Sequence, residues 1–255
     1  MNKQAFLWGR RAARWPERVA QVGHVHAAGV VEVKSPETLD NLIANRAADL
    51  LEYQDAAYAE RYTSLVDRVR AVERERVKGH SGLAEAVARY YYKLLAYKDE
   101  YEVARLYCDP RFIAALEQQF MGNYRLAFHL APSWLARRDR DSGLPRKRRV
   151  GQWIFRVFKI LVYLRGLRNT PFDPFGYTAD RRLARQLLRA YEARIDELLG
   201  KLSPENHALM VEIASIPEGI RGYGHVRVAH AEAAREKEAG LLQALRVGHA
   251  PPEAA

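Results

Sequence analysis

The sequence predicts a mainly α protein: a helical domain of about six to eight helices with one short two-stranded β-hairpin near residues 123–152. Three observations carry this expectation. Apolar residues recur at spacings of three and four over most of the chain. Capping and breaking residues such as Ser35-Pro36, Asp109-Pro110, Thr178 and Ser203-Pro204 punctuate those runs. A single segment, NYRLAFHLAP, alternates with the period of a strand.

Taken in order, Ser35-Pro36 opens the first helix, with Ser as N-cap and Pro in the first turn. Leu39, Leu42, Ile43, Leu50, Tyr58, Leu65, Val66, Val69 and Val72 then continue as one long helix, or two with a kink, ending before KGHSG. The next helix is expected from Leu83 to about Tyr107, and a third from Asp109-Pro110 through Phe120, stopped by Gly122-Asn123. In the alternating segment Tyr124, Leu126 and Phe128 point one way and Arg125, Ala127 and His129 the other. RDRDSGLP reads as a turn, and RRVGQWIF as the returning strand before a helix that starts near Trp153. NTPFDPFGYTADRR is a compact linker. Thr178 caps a helix with Leu187, Leu188, Tyr191, Ile195, Leu198 and Leu202 on one face. A helix from Glu205 to about Ser215, a glycine-rich turn and a last helix from about His225 to Arg246 complete the domain.

Composition bounds the class. Across 255 residues, 48% are apolar and 28% charged, which suits a globular chain with a real core. Cys108 is the only cysteine, so neither a cysteine-rich zinc site nor an iron–sulfur cluster can be built, and reducing cytoplasm is the expected compartment. The opening MNKQAFLWGRRAARW lacks the apolar run of a secretory signal. The most apolar window, VGQWIFRVFKILVYLRGL, is interrupted by Arg156, Lys159 and Arg165, which argues against a membrane span. Trp153, Ile154, Val157, Leu161 and Leu164 of that window are expected in the core.

The net charge is +10, and half of it sits in one loop. Arg137, Arg138, Arg140, Arg146, Lys147, Arg148 and Arg149 face only Asp139 and Asp141 there. Arginine suits bidentate contact with phosphate or carboxylate, so Arg137, Arg138, Arg146, Lys147, Arg148 and Arg149 are candidate anion contacts. Crowded like charges around Asp-Ser-Gly oppose compact packing. Limited trypsin is therefore expected to cut first between Arg137 and Arg149; first cuts at Arg181, Arg182 or Arg189 would overturn this.

Catalytic signatures are few. GIRGYGH spaces its glycines wrongly for dinucleotide binding and reads as a helix–helix turn needing positive φ. There is no P-loop and no G-x-S-x-G. His24 with His26, and His225 with His230, lack companions of metal-site quality. Tyr90, Tyr91, Tyr92, Tyr97, Tyr101 and Tyr107 interleave with Arg, as a base-stacking surface would, but the pattern favours packing with wet hydroxyls. No helix-turn-helix or RRM-type module supports nucleic-acid binding.

Four stretches in fixed order carry a family resemblance: ARYYYKLLAYKDEYEVARLYCDPRF, FHLAPSWLARRDRDSGLPRKR, LRGLRNTPFDPFGYTADRR and LSPENHALMVEIASIPEGIRGYGHVR. They resemble the C-terminal region, a domain of unknown function, of the fused bacterial indolepyruvate ferredoxin oxidoreductases. The likeness runs from about Leu39 to Arg246. NKQAFLWGRRA is similar to the end of the neighbouring gamma-type domain. The resemblance implies a remnant of that domain plus linker at 1–34, a helical accessory domain at 35–246 and a disordered tail at 247–255. Such enzymes decarboxylate aryl 2-oxoacids on thiamine diphosphate with Mg and pass electrons through [4Fe–4S] clusters to ferredoxin, releasing an acyl-CoA. This chain has neither a G-D-G-type thiamine motif nor clustered cysteines, so no catalytic, cofactor or metal residue carries over. The resemblance thus implies an accessory or assembly domain, or a split subunit, whose partners are the enzyme's catalytic portions. The basic loop is then expected to face coenzyme A phosphates or an acidic face of ferredoxin. The other reading is a free-standing helical binding module whose basic loop holds nucleic acid or an acidic protein.

Overall fold

The computed structural model describes residues 10, 11, 13–15, 37–120, 125–130 and 148–247. The chain divides into two units, Met1–Thr38 and Leu39–Ala255. In the first, residues 10, 11, 13 and 14 are helical, and the Trp15 amide donates to the Arg11 carbonyl at 2.8 Å.

The second unit is built mainly from helices: α1 (Leu39–Tyr53), α2 (Ala56–Arg76), α3 (Leu83–Leu95), α4 (Glu100–Cys108), α5 (Pro110–Gln119), α6 (Ile154–Tyr163), α7 (Ala179–Lys201), α8 (His207–Ser215) and α9 (Gly224–Val247). Short 3₁₀ turns follow α6 (Leu164–Leu167) and α8 (Ile216–Gly219). The strands β1 (Phe128–Leu130) and β2 (Arg148–Val150) pair antiparallel, Phe128 opposite Val150, His129 opposite Arg149 and Leu130 opposite Arg148. The mainly α class and the single hairpin are as the sequence predicts, with nine α-helices among the described residues of the second unit.

Local chemistry explains the boundaries. Asp55 caps α2, its carboxylate accepting from the Tyr58 amide at 2.8 Å, and this resolves the long first helix into two. The helix expected over Leu83–Tyr107 is also two. Ala96 ends α3, its amide still donating to the Tyr92 carbonyl, Tyr97 and Lys98 lie outside any helix, and Asp99 caps α4, accepting from the Glu102 amide at 2.7 Å. Apolar spacing survives this break, so periodicity could not reveal it. Tyr97 therefore lies outside any helix and shares no helical face with Tyr90 and Tyr101. Asp109 caps α5 with Pro110 in its first turn, and Thr178 caps α7. The final turn is closed at Gly222, at φ +83°, where a Cβ would press to 2.8 Å from Val226. Ser35-Pro36, Gly122-Asn123 and the tail from 248 lie outside the described residues.

The main core gathers around α3, which packs against α1, α2, α7 and α8. Leu50, Val66, Val69, Val87, Leu95, Ile195, Leu198 and Met210 are buried there; each such side chain stabilises by about 1.5–3 kcal/mol. Tyrosines thread this core. Tyr91 stacks between Tyr62 and Tyr191, with ring centroids 6.1 Å away on each side. A smaller cluster joins α4, the hairpin and α6 through Ala104, Phe128, Ile154 and Phe158.

That smaller cluster corrects one expectation. Ile154 and Phe158 are buried, but Trp153 is 63% exposed and Val157 is also exposed. Both sides of α6 are apolar, so the periodic pattern fits two faces. The one that packs is rotated away from Trp153, toward Ile154, Phe158 and Leu161.

Candidate functional site

Three features of the second unit stand out chemically: a buried charged knot, the basic hairpin and the outward face of α6.

The knot forms where the turn after α6 meets the start of α4. Asp99 is its centre and is almost fully buried. Its carboxylate accepts Nε of Arg168 at 2.7 Å and Nη2 at 3.1 Å, a two-pronged contact. Arg181 Nη1 reaches the same carboxylate at 2.6 Å, and the Tyr53 hydroxyl donates to it at 3.3 Å. Arg168 also donates to the Tyr53 carbonyl and lies 3.7 Å over the Tyr53 ring. Burial opposes the charge on both arginines, but the Asp99 contacts outweigh it and hold their pKa values above the ordinary one. A second carboxylate, Asp173, accepts the Tyr101 hydroxyl at 3.0 Å and the Asn169 and Phe175 amides at 3.2 and 3.0 Å. These bonds hold Asn169 at φ +64°. A Cβ on Gly176 would come within 3.2 Å of Asp173, so any larger residue there would have to displace Asp173 slightly. Arg181 Nε and Nη2 are buried without a hydrogen bond; Nη2 stands 3.6 Å from Glu100 and 4.0 Å from Asp173.

The knot orders a loop rather than opening a cleft. Its groups neutralise one another, and two open surface hollows lie elsewhere on the unit. One hollow, of about 450 Å³, is lined by Arg70, Arg74, Lys78 and His80 near the KGHSG turn. The other, of about 430 Å³, is lined by Arg105, Cys108, Arg111 and Arg165. Burial pushes the Cys108 thiol pKa up, which leaves it a weak nucleophile. Beneath the first hollow, Glu73 accepts the Leu83 and Ala84 amides at 2.8 and 3.0 Å and meets His207 Nε2 at 2.8 Å. His80 and His207 are ring neighbours at 5.2 Å. Among the described residues no group of three His, Cys, Asp or Glu side chains could hold a metal, and no helix is long and apolar enough to cross a membrane.

Of the predicted anion contacts, Arg148 and Arg149 stand on β2, and Arg149 is exposed opposite His129. Arg137, Arg138, Arg146 and Lys147 lie outside the described residues, as do His24 and His26. His225 and His230 sit on α9, where His230 Nδ1 is 2.9 Å from the Arg221 carbonyl. The tyrosine-rich segment is used in packing: Tyr91 and Tyr101 are buried, and Tyr90, Tyr91 and Tyr92 direct their hydroxyls to Glu218, Glu192 and Asp49.

The fold is thus a helical body with one charged knot buried inside it, and the comparison with known families agrees in extent with its second unit. Residues 39–240 match the model of a family of unknown function, DUF6537. The chain belongs to that family. The DUF6537 match begins where α1 begins and ends within α9, so it takes in the knot, both strands, the smaller hydrophobic cluster and all of the main one but its last residues, from Leu241 on. No curated protein and no solved structure matches the chain.

Sequence reasoning missed the knot. Arg168, Asp173 and Arg181 all lie in the stretch LRGLRNTPFDPFGYTADRR, and Asp99 in KDEYE. The one available signal was local: Asp99 precedes an acidic first turn and so reads as an N-cap.

Proposed function

We propose that this DUF6537 chain is an accessory docking domain of a 2-oxoacid:ferredoxin oxidoreductase of the indolepyruvate class, without catalysis of its own. The observation that carries the docking role is α6. Trp153, at the N-cap, and Ile160 and Tyr163, on the helix, are 63%, 59% and 88% exposed, and large apolar side chains grouped on a surface mark interaction sites. The enzyme class rests on the resemblance of the four ordered stretches quoted above; the family match agrees with their range and adds no activity. The ionisable groups with the deepest burial also favour a structural reading, because Asp99, Asp173, Arg168 and Glu73 are bonded to the fold itself.

The test is reconstitution with the thiamine- and cysteine-bearing portions of such an enzyme. The purified chain alone is expected to show no cluster absorbance and no turnover of indolepyruvate. Mixed with those portions, it should bind with a dissociation constant of about 1 μM or tighter. Free elution of the chain, or turnover by the chain alone, would overturn the reading.

A further inference from the structure

We infer that the outward face of α6 docks onto an acidic face of another protein. The inference deepens the docking role and rests on it only in taking the chain to bind a protein. At roughly 100° per residue, Trp153, Val157 and Ile160 fall in one narrow arc. Arg156, Tyr163 and Lys159 follow along one side of it. The opposite arc, with Ile154 and Phe158, is fixed in the aromatic cluster against α4 and the hairpin. The helix therefore cannot roll to hide the stripe.

Charge selects the partner. Arg156 and Lys159 are exposed and enter no ion pair among the described residues. From Ser142 to Phe172 the sequence carries no Asp or Glu, and Arg149 is exposed on the adjoining strand. A partner surface with an apolar centre and carboxylates on one flank matches this face. A second copy would bring the same cations together. A nucleic acid would meet Val157 and Ile160 where it needs hydrogen-bonding groups. A bilayer would take a wider apolar face than Trp153, Val157 and Ile160 offer, since such binding grows with the apolar area buried. Trp153 at the leading end of the stripe supplies a residue type that often dominates protein contacts.

The experiment uses the full chain in cells that make it naturally. A photo-reactive phenylalanine analogue replaces Ile160 in one version and Leu51, an exposed residue of α1, in another. The expected result is a protein adduct from position 160 and none from 51. Its cross-linked peptide should carry an excess of Asp and Glu. Adding Arg156→Glu and Lys159→Glu should lower its yield at least about tenfold while helicity is unchanged. No adduct at 160, equal adducts at both positions, a basic or neutral contact peptide, indifference to charge reversal, or an adduct to nucleic acid, lipid or a second copy would each overturn the inference. An acidic partner other than an oxidoreductase component leaves this surface standing and removes the proposed enzyme class. An oxidoreductase component captured only at 51 does the reverse.

Discussion

Asp99→Asn is expected to destabilise the protein by about 3–5 kcal/mol, the range for breaking a buried ion pair by removing one partner. Asparagine keeps the shape and can still cap α4, so the loss reports charge rather than capping. Two guanidinium groups, Arg168 and Arg181, would be left facing a neutral amide inside the protein. Arg168→Met should cost less, because Asp99 keeps Arg181 and the methionine fills part of the space. Urea unfolding of the two variants gives the order. A native stability of about 5–15 kcal/mol makes the first loss a large fraction of the whole. If Asp99→Asn lies within about 1 kcal/mol of the parent, or is milder than Arg168→Met, the knot is not the ionic centre described here.

Raising the pH past 10 is expected to unfold the protein in one cooperative step. Burial, first of all, raises the pKa values of Tyr53, Tyr58, Tyr91, Tyr92, Tyr101 and Tyr191, reinforced at Tyr91 by Glu192, at Tyr92 by Asp49 and at Tyr101 by Asp173. Tyr92 is pushed up to about 12. A raised pKa in the folded state favours the neutral phenol. The stabilisation is fully present below the ordinary tyrosine value, near 10, and is lost as the pH climbs through the folded value. Over that window each tyrosine that stays neutral in the fold but ionises when unfolded removes about 1.4 kcal/mol per pH unit. The deeply buried Tyr53 and Tyr191 together remove about 3 kcal/mol per pH unit. Tyrosinate absorbance from these six tyrosines and loss of helical circular dichroism should therefore coincide between pH 10 and 12. Ionisation of every tyrosine, these six included, near pH 10 with helicity intact would contradict the buried tyrosine network.

The elements legible in the sequence were those with local chemistry. Asp109-Pro110 and Thr178 cap the helices expected of them, and the alternation from Arg125 to His129 matches the exposed and covered sides of that stretch. The glycine-rich turn at 219–224 has the positive φ angles its composition called for, at Gly222 and Gly224. What could not be read depended on partners distant in the chain. Asp99 meets Arg168 and Arg181 across 69 and 82 residues, and no periodicity marks a charge for burial. Trp153 was misplaced because α6 has two apolar faces, and only the aromatic cluster decides between them. Of the candidate anion contacts, the sequence places the charge, and the described structure fixes the backbone positions of Arg148 and Arg149 alone.

Glu73 gives the beginning of α3 an unusual dependence. A helix usually finds acceptors for its first amides in its own flanking residues. Gly82 has no side chain to offer, and the acceptor is instead a carboxylate from the last turn of α2, ten residues earlier, itself held by His207 from 134 residues away. The carboxylate that closes the first turn of the central helix is thus also an anchor for the C-terminal half. A ribosome releasing the first hundred residues would already present Glu73 to the leading amides of α3, and the histidine that holds it from the other side would arrive only when α8 emerges and docks.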